Sequence, residues 1–379
     1  MRRSVPILNT LHFPVEVGRF VFPPQKEVVI EVEKNSSEFR MIRSVKGLRI
    51  DKPDNAAWMY KHGLIETYDF NMVYDTHSQH RGAAYLKAIE ALSNPIIKHL
   101  PEGASGFIDK PSPHGINLRF FSSMRIRQQG KAPVGPCDVF YSHGIGDKNY
   151  WIAERIAGYR FALVPGPAWK ERIEAGGFRG WIYIVGYTKL DPLLNGEYVR
   201  QERPSGKPYI VWAPTHAYHS RPKGRSSYPD CMRLISEIPD CYEATVALHP
   251  TSRLGLTRTQ DVTLQELLDA DVVIADAGST LYEAWALGKP VIFPDWICRD
   301  AILSHFSPGN LEYEIYNKRI GYHAKDMKHL VELIEVALHK GMRDPEIEFI
   351  ERVFPSELRG QAGLKAAEAL EEIKGAVFS

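Results

Sequence analysis

The chain contains no GxxxxGK sequence followed by Ser or Thr, which excludes a P-loop nucleotide site. It has only 4 cysteines in 379 residues, Cys137, Cys231, Cys241 and Cys298, with neither a CxxC pair nor a zinc spacing. A disulfide scaffold and a dithiol redox function fall away, and reduced thiols in a cytosolic chain are expected. No window approaches the ~20 consecutive apolar residues that a membrane-spanning helix needs. After Met-Arg-Arg, residues Asn9, His12, Pro14 and Glu16 interrupt any apolar core, making the start a poor signal peptide. An excess of one charge is missing too, with 47 basic side chains against 46 acidic and a formal charge of +1. That balance gives no general electrostatic case for nucleic acid, although a local basic patch stays open. Short repeats and low-complexity tracts are absent.

What is present is an ordinary globular composition, 44% hydrophobic and 25% charged. A single core rarely grows beyond about 250–300 residues, so two domains are expected. The stretch Asp271–Pro294 gives the clearest local pattern. Val272 to Ala275 is a short apolar run between Asp271 and Asp276, as in a parallel strand covered on both faces. Ala277 and Gly278 make a turn, and Ser279 or Thr280 caps a helix whose apolar residues Leu281, Ala284 and Trp285 recur at helical spacing. Gly288 ends that helix, and a second strand starts at Val291. The unpaired N–H groups and positive end of the helix would point above the sheet, where a diphosphate is the natural occupant, with Glu283 one turn on to reach a ribose. Any α/β protein has such turns, which leaves the bland alternative standing.

Other strand exits follow in chain order. Val28 to Val32 and Met41 to Arg49 read as strands, and Tyr68 to Tyr74 leads into a polar loop carrying His77 and His80 before a helix from Arg81 to about Leu92. Those two histidines are acceptor-side candidates or simply solvated groups. Pro101 to Pro136, with Arg119, Arg125, Arg127 and Lys131, reads as loop and short helix, its basic residues facing an anionic acceptor or plain solvent. Cys137 to Tyr141 is a strand running into Ser142-His143-Gly144-Ile145-Gly146-Asp147-Lys148. An imidazole is the usual group for taking a proton from a hydroxyl near neutral pH, so His143 is a candidate base; the alternative is a histidine bonded to nearby backbone. Strands at Phe161–Pro165 and Trp181–Val185 flank a helix from Pro167 to Ala175, and 195–207 reads as the interdomain linker, with the boundary near Ser205.

The second half opens with a strand from Tyr209 to Ala213 and the loop Pro214-Thr215-His216-Ala217-Tyr218-His219. His216 and His219 lack an obvious third ligand, so no metal site is assigned. A helix is expected over Pro229–Ile238, a strand over Ala244–Leu248 with the exit loop His249-Pro250-Thr251-Ser252-Arg253, and a short helix over Leu264–Leu268. Asp269-Ala270-Asp271 imitates a metal-binding DxD but precedes a strand, so it is discounted. Amphipathic helices are expected over Met327–Leu338 and from Pro355 to Lys374.

In sequence order, His143-Gly144 with Lys148, Gly186-Tyr187 with Asp191, Ala213-Pro214-Thr215, His249-Pro250, Asp276 with Ser279, and Lys289-Pro290-Val291-Ile292-Phe293 resemble the CDP-glycerol glycerophosphotransferase family of teichoic-acid enzymes. The resemblance covers about residues 137–300, with a fainter echo in Arg352 to Phe354 and the last helix. It implies an α/β GT-B fold of two facing Rossmann-like domains with parallel sheets: an acceptor-side domain over 1–198, a nucleotide-donor domain over 207–350, and a C-terminal helical segment over 351–379 packing back across them. It also implies His143 as the base at the acceptor hydroxyl, with Lys148 beside it. His249 and the Ser279 loop would hold the donor diphosphate, joined by Thr215, Arg253, Asp276, Gly278 and Thr280. Two positions depart from the family. Asp276-Ala277-Gly278-Ser279 stands where Asp-Tyr-Ser-Ser is usual, and Glu283 stands where the family has Asp. Tyr282-Glu283-Ala284 before Gly288-Lys289-Pro290 is closer to nucleotide-sugar glycosyltransferases of the same fold, whose glutamate binds the ribose.

The expected activity is thus transfer of a nucleotide-activated group, CDP-glycerol or another CDP-polyol, onto an acceptor hydroxyl. The acceptor would be a glycan, a polyol phosphate or a modified base in DNA. The donor is a substrate, and neither cofactor nor metal is expected. The rivals are a nucleotide-sugar glycosyltransferase, a non-hydrolysing nucleotide-sugar epimerase and a non-catalytic nucleotide-binding protein. The expected place is the cytoplasm, with peripheral contact at the inner face of the membrane open.

Overall fold

The computed structural model describes residues 2–9, 15–17, 20–22, 26–35, 38–46, 68–74, 79–108, 110–123, 126, 133–147, 156–215, 225–248 and 260–378. Two parallel sheets organise most of them. The first runs in the order β11-β10-β9-β8-β6-β7, formed by β6 (Phe70–Val73), β7 (Ser105–Ile108), β8 (Ile116–Arg119), β9 (Asp138–Tyr141), β10 (Phe161–Val164) and β11 (Trp181–Ile184). Helices α1 (Gln79–Ile97) and α2 (Pro167–Ala175) belong to this half. The second sheet runs β13-β12-β14-β15-β16, from β12 (Tyr209–Ala213), β13 (Glu243–Val246), β14 (Val272–Ala275), β15 (Val291–Pro294) and β16 (Tyr322–Ala324). Its helices include α3 (Gln260–Asp269), α4 (Ser279–Ala286), α5 (Asp295–His305), α6 (Leu311–Lys318), α7 (Met327–Lys340) and α8 (Asp344–Val353), and the chain closes with α9 (Ala362–Phe378). This is the two-domain parallel α/β architecture expected of the chain. Among the described residues no helix is long and apolar enough to cross a membrane.

The second sheet is covered on both faces because its central strands β12, β14 and β15 are apolar and buried at every position. Val273, Ala275, Tyr209, Val211, Val291 and Phe293 join the large core that also contains the first sheet, while Val272, Ile274, Ile210, Trp212 and Ile292 form a separate core on the opposite face. That division is the period-2 alternation of a strand. Helix α4 lies on the shared side. Trp169 of α2 meets Tyr282 of α4 edge to face, centroids 6.1 Å apart, a contact worth about 0.5–1.5 kcal/mol beyond its area. The two domains are therefore joined by one continuous apolar core.

Several elements differ from the sequence expectation. The strands near the start, β4 (Lys26–Asn35) and β5 (Glu38–Lys46), pair antiparallel with β1 (Arg2–Asn9), and β2 (Val15–Val17) pairs with β3 (Phe20–Phe22); none joins the parallel sheets. The stretch expected as loop holds β7 and β8. Strand β8 escaped notice because two of its four buried residues are polar: Arg119 is fully buried and donates to Asp138 at 2.7 Å, and Asn117 donates to the same carboxylate at 2.9 Å. Arg119 is thus a core cation rather than part of a basic surface. Burial pushes the Asp138 carboxyl up, against the pull of the Arg119 guanidinium. The helix expected over Pro229–Ile238 is a short helical turn, Cys231–Leu234, followed by a 3-10 turn.

The last helix returns to the first domain. Asp191 accepts hydrogen bonds from Gly363 N at 2.6 Å and Ala362 N at 3.3 Å, binding the first turn of α9. Further along, Tyr183 donates to Glu372, and Lys374 pairs with Asp69.

Candidate active site between the two sheets

In an open parallel sheet, ligands bind beyond the carboxyl ends of the strands, at the point where the strand order reverses. In the second sheet that point lies between β12 and β14, since β13 follows β12 on one side and β14 lies on the other. Asp276 closes it. The buried carboxylate accepts from Thr215 N at 2.8 Å, Ala277 N at 2.7 Å, Ser227 N at 2.6 Å and Ser227 Oγ at 2.9 Å. Burial raises its pKa, and those four donors oppose the rise. Asp276 therefore acts as a fully buried clasp that holds the exits of β12 and β14 together.

Helix α4 starts at this clasp. Its N-cap is Gly278, at φ 89° and ψ −164°, backbone that a side chain would strain. The expected Ser or Thr cap is absent because Ser279 is already the first helical residue, and no side chain caps the helix. Ser279 Oγ instead accepts from Gly146 N of the first domain at 3.3 Å. Ser279 and Thr280 are half-buried.

The loop facing α4 is the one that carries His143. It leaves β9, and the contact is close enough to require glycine: a Cβ on Gly146 would lie 2.7 Å from Gly278 Cα, and one on Gly144 would lie 2.7 Å from Ser279 Oγ. His143 is half-buried, with its backbone N–H and its Nδ1 each 3.2 Å from Phe120 O at the exit of β8, and its ring against Phe121 at 5.2 Å. A carbonyl only accepts, so this bond places the hydrogen on Nδ1 and, in the neutral ring, the lone pair on Nε2. The backbone-bonded alternative for His143 is therefore observed at Nδ1.

Glu283 stands elsewhere. It is buried, and its Oε1 accepts from Lys189 Nζ at 2.7 Å and from the Tyr187 hydroxyl at 3.3 Å, both from the first domain. Burial, then the Glu283 charge, holds the Tyr187 hydroxyl well above its ordinary pKa. The structure thus seats the loop that carries His143 on Gly278 and Ser279 through Gly144 and Gly146, with Thr280 next in α4 and Thr215 at the neighbouring strand exit. His77, Lys148, His249 and Arg253 lie outside the described residues, as do His216 and His219. His80 falls in α1, with only its backbone described.

Four residues at this junction escaped the sequence reading: Asp147, Lys189, Asn310 and Glu312. Asp147 N donates to Glu312 Oε1 at 2.9 Å, and Asn310 Nδ2 donates to Asp147 O at 2.6 Å. Asn310, after Pro308-Gly309, carries a legible helix-start signal and caps α6 through Tyr313 N.

Against known proteins, no protein-family model matches the chain, and no curated protein matches it either. Solved structures do. Two forms of the wall teichoic acid polymerase TagF match over 87% of this chain and 92% of theirs: a variant at TM-score 0.56 and 14% identity, and TagF itself at 0.55 and 13%. S. aureus MnaA in a structure with UDP matches at TM-score 0.48 and 12% identity, over 82% of this chain and 97% of its own. The likeness to TagF is one of fold, and the fold is GT-B.

Proposed function

We propose that the chain is a GT-B transferase that moves a nucleotide-activated group onto an acceptor hydroxyl, with a CDP-linked polyol phosphate as first-choice donor and His143 as base. The observation that carries this is the seating of the His143 loop on the first turn of α4. Together with the ordered motif series shared with CDP-glycerol glycerophosphotransferases and the TagF-like fold, it supports one catalytic junction at the strand ends of both sheets.

In this mechanism the acceptor oxygen attacks the transferred group while its proton passes to His143 Nε2. With a CDP-polyol the bond that breaks joins the two phosphates and CMP leaves; with a nucleotide sugar the nucleoside diphosphate leaves. Either way negative charge grows on phosphate oxygens. The amides of Ser279 and Thr280, at the positive end of α4, are assigned to receive it, with His249 and Arg253 as side-chain partners. Gly278 N already donates to Glu312 Oε1 at 3.3 Å, so its part is to shape the turn. Thr215 flanks the donor at the exit of β12, and Lys148, His77 and His80 are assigned to the acceptor side. The acceptor is a glycan or polyol-phosphate hydroxyl. Because amides and side chains supply the stabilisation, turnover should survive a chelator.

Glu283 decides the order of donors. Its resemblance to a ribose-binding glutamate favoured a nucleotide sugar, but Lys189 and Tyr187 engage its Oε1. We assign it to holding α4 on the first domain, which places the nucleotide sugar second. Melting shifts with CDP, UDP, GDP and ADP test this, since a ligand at 100 times its Kd stabilises by about 2.7 kcal/mol. Selectivity for CDP is expected; selectivity for UDP would reverse the order, and no shift with any of the four would contradict the function.

A further inference from the structure

The loop carrying His143 leaves a strand of the first sheet, yet its far end is held by the second domain. Asp147 is fully buried and uses backbone and side chain alike. Its N–H donates to Glu312 Oε1 at 2.9 Å, and its carbonyl accepts from Asn310 Nδ2 at 2.6 Å. Its Oδ2 accepts from Leu311 N at 3.0 Å and from Arg172 Nε at 2.9 Å. The start of α6 therefore grips Asp147 through three successive residues, Asn310, Leu311 and Glu312. The same Glu312 oxygen takes Gly278 N at 3.3 Å, immediately before α4. One buried carboxylate oxygen thus bridges an amide at the end of the His143 loop and an amide at the start of the helix that loop faces.

We propose that Asp147, Asn310 and Glu312 form a register pin that sets the spacing between the His143 loop and the first turn of α4. The pin makes Glu312 a positioning residue for the transfer reaction; it rests on the proposed role of His143 as base. The alignment of the His143 loop with α4 is then set by the chain's own contacts, which run from the second domain into the loop of the first. Preset geometry of this kind removes an ordering cost from the reaction. Between His143 and Asp147 the loop carries glycine at the two positions where a Cβ would meet Ser279 and Gly278.

The test uses the full chain carrying Glu312→Ala, Glu312→Gln or Asn310→Ser. Gln keeps an oxygen that accepts from both amides, whereas Ala keeps none. Ser retains the cap of α6, but its shorter side chain lacks the amide that reaches Asp147 O, so it loosens the pin without removing the helix start. Hydrogen exchange of the 143–147 amides should accelerate by about tenfold or more in Glu312→Ala, by less in Asn310→Ser, and little in Glu312→Gln. The His143 Cε1–H proton resonance should move in the same order. Nucleotide affinity should stay within about threefold of the parent in Asn310→Ser, which leaves the bond from Gly278 N to Glu312 in place. Unchanged exchange in both Glu312→Ala and Asn310→Ser would overturn the pin, and so would a Gln variant that behaves like Ala. If Glu312→Ala does not fold, Asn310→Ser decides alone. None of these readouts depends on turnover, so the pin can fail while the transfer function stands, and the nucleotide shifts can fail while the pin stands.

Discussion

Lys189 Nζ lies 2.7 Å from Glu283 Oε1, and the two side chains, from different domains, are 6% and 3% exposed. The ion pair sits where α4 meets the turn after β11, alongside the Tyr187 hydroxyl. Together with the Asp147 contacts, it makes the junction a set of buried polar bonds inside a continuous apolar core rather than a loose hinge.

Removing the cation should be costly. Lys189→Met leaves a carboxylate buried beside a tyrosine, for which about 3–5 kcal/mol of destabilisation is expected, and Lys189→Met with Glu283→Leu should recover most of it. Urea unfolding of the two variants measures the difference. A loss below about 1 kcal/mol, typical of an exposed pair, would contradict the burial.

Asp191 gives a pH dependence. Burial pushes its carboxyl up to about 6, although the amides of Gly363, Ala362 and Gly360 pull it down. The folded value lies above the ordinary 3.8, so the folded chain binds the proton more tightly than the unfolded one. The stability this group contributes is complete below about 3.8 and is lost as the pH rises through about 6. A carboxyl NMR titration should find the Asp191 midpoint near 6. The stability difference between the parent and Asp191→Asn should change between pH 4 and 6 and flatten above about 6.5; a midpoint near 4 would refute the assignment.

His143→Ala should lower kcat by about 10² to 10⁴ on a polyol-phosphate or glycan acceptor while leaving the nucleotide Kd near the parent value. Full turnover by that variant would remove His143 from the chemistry.

Much of the second domain was legible because its signals are local. Val272 to Ala275 is an apolar run, Gly278 and Gly288 bracket the helix, and all of this lies within two dozen residues. Among the opening strands β4 and β5 were legible, but nothing local marks which strands they pair with, and β8 was missed because Arg119 looks like a surface charge until Asp138 is placed beside it. The acids at the junction show the same limit. Asp276 and Glu283 stand where a ligand-binding carboxylate would stand, but the partners that engage them, Ser227 and Lys189, are 49 and 94 residues away in sequence. Nothing local distinguishes a carboxylate that meets a ligand from one that meets another part of the chain. For His143, strand-end position and residue type singled out the loop, and the tautomer emerged only with Phe120 in view.

The most direct measurement is a crystal structure with CDP bound. The account predicts diphosphate oxygens about 3 Å from the amides of Ser279 or Thr280, on the side facing His143. A diphosphate placed instead in the cavity of about 420 Å³ lined by Lys87, Asn94, Lys98 and Tyr198, or anywhere away from the start of α4, would contradict it.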